Sequence, residues 1–72
     1  MLGEREALVV AVTPFDVHGV SHVDLQVVYR DRTVGEARLG AESVPVGLVP
    51  GDEVLVRTAV NMIVAVRRPG LD

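Results

Sequence analysis

Val23-Asp24-Leu25-Gln26-Val27-Val28-Tyr29-Arg30 decides the fold class of this 72-residue chain. Val23, Leu25, Val27 and Tyr29 fall on one side of a period-two pattern, and Asp24, Gln26 and Arg30 on the other. That alternation is the mark of an antiparallel strand with one face buried and one in water. Seventeen valines reinforce it, because a branched Cβ restricts χ1 and suits a pleated surface better than a helix. Turn formers interrupt the apolar runs at Pro14, Gly19, Gly35, Gly40, Pro45, Gly47, Pro50-Gly51 and Pro69-Gly70, a spacing typical of small sandwiches and barrels.

Working outward, residues 6–13 form a preceding strand that is apolar throughout from Ala7 to Val12. Asp31-Arg32 is a two-residue connection into a third strand over 33–39, with Glu36 and Arg38 pointing outward. Residues 41–48 read either as one helical turn or as a short bridging strand. Val49-Pro50-Gly51-Asp52 carries Pro at i+1 and Gly at i+2, the type II signature. It leads to a fourth strand over 53–59, and after a break at Asn61 to a fifth over 62–67. The expected fold class is all-β: one domain, a five-stranded antiparallel barrel of OB or SH3 size, with 1–5 and 68–72 frayed.

Ten carboxylates against seven arginines give a net charge of −3, and there is no lysine. No basic stripe marks a nucleic-acid surface. Of the two aromatics, Tyr29 falls on the core face, which leaves no stacking platform for bases. Arg30, Arg32 and Arg38 can gather near the second turn, either to hold an anion or an acidic partner surface or, the commoner outcome, to pair in solvent with Asp31 and Glu36. The longest apolar run, six residues from Ala7 to Val12, is far below the roughly 20 a membrane helix needs. The N-terminus lacks the basic and apolar regions of a signal peptide, so a cytoplasmic protein is expected. Without cysteine there is no disulfide and no thiolate metal site.

One local feature suggests a ligand. Asp16-Val17-His18-Gly19-Val20-Ser21-His22-Val23-Asp24 is palindromic about Val20. If residues 19–21 form the loop of a hairpin, His18 faces His22, and alternation brings Asp16 and Asp24 to the same face. Two imidazoles and two carboxylates are a donor set that Zn²⁺ or a similar divalent ion accepts, while a solvated hairpin end explains the same residues without a metal. Catalysis has weaker support. Ser21 lies in an exposed loop, and Glu4/Glu6 and Asp52/Glu53 have no pocket-forming apolar run around them. No enzyme is expected.

The two-faced strands bear on assembly. Carried backward from the palindrome, alternation places Val17, Phe15, Thr13, Ala11, Val9 and Ala7 on the core face, leaving Leu8, Val10 and Val12 outside. A monomer seldom exposes such a patch. Either Pro14 introduces a bulge that swaps the faces, or a second chain covers it. In the fourth strand Val54, Val56, Thr58 and Val60 share one face, with Leu55 and Ala59 on the other beside Arg57. Leu8, Val10, Val12, Leu55 and Ala59 are therefore the expected interface.

The segments ALVVAV (7–12), VDLQVVY (23–29), VGEARLG (34–40) and ESVPVGLVPGDEVLVRTAVNMIVAV (42–66) together resemble the small molybdate-binding barrels of the TOBE/Mop type. The resemblance implies a compact, oligomerising barrel with an oxyanion ligand. The chain departs from that pattern at the ligand. Gly3-Glu4-Arg5-Glu6 replaces the polar segment before the first strand, its two carboxylates would repel an anion, and the lysine near the final strands is missing. The leading expectation is a non-enzymatic interaction module that pairs with itself or with a protein partner. A small-ligand binder, for an oxyanion or a divalent metal, is the alternative.

Overall fold

A computed structural model describes residues 2–70; Met1, Leu71 and Asp72, part of the segments expected to fray, lie outside the described residues. Five strands, β1 (Leu2–Val17), β2 (Val20–Tyr29), β3 (Val34–Gly40), β4 (Glu53–Ala59) and β5 (Met62–Arg67), form one antiparallel sheet in the order β3-β2-β1-β4-β5. The 41–48 segment resolves as a single 3₁₀ turn, Ala41–Ser43, followed by loop. No helix is long and apolar enough to cross a membrane among these residues. β2 buries Leu25, Val27 and Tyr29 as its alternation requires. Val27, Val54 and Val56 are fully shielded, each burial contributing roughly 1.5–3 kcal/mol before entropy is counted. Leu48 reaches in from the loop and joins the same core.

β1 is longer than expected at both ends. Residues 2–5, expected to fray, pair with 56–59 of β4, which makes β1 the central strand of the sheet. The change of face comes at Val10, not at Pro14. Ala7 and Val9 are buried, the register to β2 slips between Val9 and Ala11, and from there Val12 packs on the core while Thr13 points out. A one-residue bulge exchanges the two faces of everything beyond it. The cause is the turn at 49–52. Gly51 adopts φ 96°, the Asp52 amide bonds the Val49 carbonyl at 3.1 Å, and both peptide groups of Val9 are taken up by Gly51 and Asp52 at 2.8 and 2.9 Å. Pro14 lies beyond Val9, where β1 no longer has β4 beside it, so its missing N–H breaks no ladder on that side.

Two turns differ from the expected ones. β1 and β2 are joined by two residues, His18 (φ 51°) and Gly19 (φ 80°), a type I′ hairpin. The β2–β3 connection takes the four residues 30–33, not two, and Asp31 closes it by accepting from the Thr33 amide and hydroxyl at 3.0 and 2.6 Å.

Gly35 and Val60 mark opposite kinds of constraint. A Cβ on Gly35 would lie 2.7 Å from the Tyr29 hydroxyl and 3.0 Å from its ring. Tyr29 is buried and capped by the Arg5 guanidinium 3.8 Å above the ring, so it has little room to yield. Gly35→Ala is expected to lower the urea unfolding midpoint, at a cost of about 1–3 kcal/mol, and Tyr29→Phe in that background should recover part of the loss. Val60 instead holds φ 51° at the tip of the β4–β5 hairpin, a conformation that disfavours a β-branched residue. Val60→Asn should raise the midpoint, by about 1 kcal/mol, since Asn tolerates this φ.

Candidate functional site

The hairpin register takes the palindromic residues apart. With a two-residue turn, Phe15 faces His22 and Asp16 faces Ser21, while His18 lies in the turn itself. The premise that His18 opposes His22 is therefore corrected. Asp16 shares the Ser21 face, His22 and Asp24 take the other, and no group of three His, Cys, Asp or Glu side chains is placed to hold a metal ion among the described residues. The Ser21 hydroxyl donates to Asp16 at 3.2 Å, so it is engaged with a carboxylate and not with an imidazole.

His22 and Asp24 instead join a cluster on the outer face of β1, β2 and β3. The His22 ring stacks on Phe15 with centroids 5.5 Å apart, and its Nδ1–H donates to the Val20 carbonyl at 2.9 Å. The Arg38 guanidinium lies 4.6 Å from the centre of the Phe15 ring and grips Asp24 with two bonds, 2.9 Å from Nε and 3.2 Å from Nη2. These bonds hold the Asp24 carboxyl below its ordinary range, and the charges of Arg38 and His22 act the same way.

The remaining arginines are largely engaged with acids from distant parts of the chain. Arg67 binds Glu4 through Nε and Nη2 at 2.8 and 3.0 Å, which lowers the Glu4 carboxyl. Arg30 pairs with Glu6, Arg5 with Asp31 at 3.5 Å, and Arg68 with Asp52 at 3.5 Å while donating to the Val46 carbonyl at 3.0 Å. Arg30 and Arg38 thus pair with Glu6 and Asp24, not with Asp31 and Glu36; Glu36 takes its bond from Gln26 at 3.2 Å.

Of the expected interface residues, Leu8 and Val10 lie outward at 45% and 44% exposure. Val12 turns inward because of the bulge. Leu55 is half-buried on the outer face between Glu6 and Arg67, and half-buried Ala59 pairs with Met62 at the far end of β4. The register adds two residues that the sequence reading left out. Val28 is paired with Leu8 on one side and with Val34 on the other, so Val34, Val28 and Leu8 form an aliphatic row across three strands, ending beside Val10. Val34 is 56% exposed. The signal was present: Val28 is apolar at a position where the alternation of β2 calls for a polar residue.

Compared with known proteins, the chain matches no family profile, no curated protein and no solved structure.

The Asp24–Arg38 pair has a measurable consequence. A carboxyl depressed in the folded state contributes stability in full above its unfolded value, near 3.9 for Asp, and loses it as pH falls through the folded value. Arg38→Gln should therefore raise the Asp24 midpoint in a carboxyl NMR titration toward the unfolded value. It should also flatten the decline of stability at the acid end of a urea series.

Proposed function

We propose that this chain is a non-enzymatic interaction module, a small barrel that associates with further copies of itself or docks a protein partner through its outer sheet face. The observation that carries the reading is the row Val34–Val28–Leu8 with Val10 at its end. Contiguous exposed aliphatic surface is costly in water and rare on monomers unless something covers it. A core built from so few residues also stabilises a chain of this length only marginally, and association supplements it.

The curl of the sheet supports the barrel. β3 and β5 lie at opposite ends of the strand order, yet residues on them approach to within 8 Å between Cα atoms, with no ladder joining them. The TOBE/Mop resemblance agrees with such a shape. Oxyanion binding is the weaker part of that resemblance. In the segment where the ligand motif would stand, Glu4, Arg5 and Glu6 are each committed to an ion pair, with Arg67, Asp31 and Arg30.

Size-exclusion chromatography with light scattering tests the reading. The wild-type chain should run above its 7.7 kDa monomer mass at high concentration or co-elute with a partner. Leu8→Glu/Val10→Glu should reduce that mass while leaving the far-UV spectrum unchanged, since both side chains are already half in water. A wild-type mass fixed at the monomer value removes the self-association form.

A further inference from the structure

The two ends of β1 differ in shape and in charge. At the end that begins with Leu2, the β4–β5 hairpin projects Val60 and Met62, 77% and 68% exposed. Val60 keeps an unfavourable backbone conformation there and buries almost nothing, so the fold of one chain does not account for a valine at this tip. About ten residues further along β1, roughly 30 Å of extended chain, Val12 and Pro14 join Val23 and the 44–50 loop in an apolar groove of about 430 Å³. Val46, 95% exposed, stands on its rim.

Charge follows the same axis. The Leu2 end holds Arg5, Arg30, Arg32, Arg57 and Arg67 against Glu4, Glu6 and Asp31, an excess of two positive charges. The groove end holds Asp16, Asp24, Glu42, Asp52 and Glu53 against Arg68, an excess of four negative charges, while Glu36 and Arg38 line the seam beside Asn61 and Met62 and cancel one another. The ion pairs Glu4–Arg67 and Glu6–Arg30 separate the hairpin tip from the Leu8 row on the outer face. The tip and the row are thus two distinct surfaces.

We infer that copies of this chain associate head to tail, with the Val60–Met62 tip of one seated in the 44–50 groove of the next and the basic end facing the acidic end. A second copy is the occupant because the groove and a matching tip occur at opposite ends of the same chain with opposite net charge. Like ends placed together would bring like charges into contact, which costs binding. A contact between unlike patches is heterologous, and it propagates until rotation closes it into a ring. The inference rests on the self-association part of the proposed function and names a different surface for it.

Two variants test it by light scattering. Val60→Asn/Met62→Glu disables the tip, and Val46→Asp/Val49→Asp disables the groove rim; all four positions are exposed. In the Leu8→Glu/Val10→Glu background, which removes the outer-face contact, each variant alone is expected to be monomeric, with affinity weakened more than about tenfold, the loss expected when anchors at the centre of an interface are removed. Mixed in equal amounts, they retain one intact tip and one intact groove between them, and should form a 1:1 pair that grows no further. The wild-type assembly should also weaken as salt rises. The Val60→Asn component makes the result specific, since a variant that unfolds at higher urea yet assembles less has not lost assembly through misfolding. Variants that keep the wild-type mass, or a mixture that stays monomeric, overturn the head-to-tail contact. If Leu8→Glu/Val10→Glu alone then lowers the mass, the outer-face reading stands without it. A wild-type chain that is monomeric throughout overturns both.

Discussion

The hydrogen bonds between Val9 and the Pro50-Gly51 turn organise this fold. Through Leu8, β1 has a strand on each side; at Val9 the second neighbour is a turn, and past it the strand continues against β2 alone. The slip in register at Val10 lies at that junction. It sends Val12 into the core and leaves Leu8 and Val10 in water. Because side-chain direction alternates with each residue, a single inserted position reassigns half of the longest strand.

The electrostatics follow from the topology in a similar way. Glu4 and Arg67 are 63 residues apart, and Arg5 and Asp31 are 26 apart. Each pair meets because the sheet order places β5, β4, β1 and β2 side by side. The pairs are exposed, so their contribution to stability is small. Their more important effect is on what the surface offers: acids and arginines that meet each other in pairs present less free charge to an oxyanion or a phosphate backbone. What remains is the gradient from one end of β1 to the other.

The outer face and the two ends of the molecule then have different characters. Aliphatic side chains form a row in the middle of the outer face, Phe15, His22, Arg38 and Asp24 form a linked cluster near the β1–β2 hairpin, and valines and prolines line the groove above the core. Val60 stands apart from these, with its backbone in a region that suits asparagine or glycine better. It is an apolar side chain that stays largely in water on a backbone conformation unfavourable to it.

Alternation in 23–30, the valine content and the Pro50-Gly51 turn determined the fold class, the existence of all five strands, and the bounds of β4 and β5, because these depend on local preference and on a period of two. The turn lengths were less legible. A glycine signals a turn without saying which residues flank it, and the two-residue choice at His18-Gly19 moved His18 off the strand and separated the would-be metal ligands. Val28 could be read as out of phase in the sequence, yet only pairing with Leu8 and Val34 made it part of a row. The position of the bulge was beyond the sequence altogether. It depends on where β4 leaves β1, a contact between residues more than 40 positions apart, and the same contact decides which valines of β1 face the core and which face water.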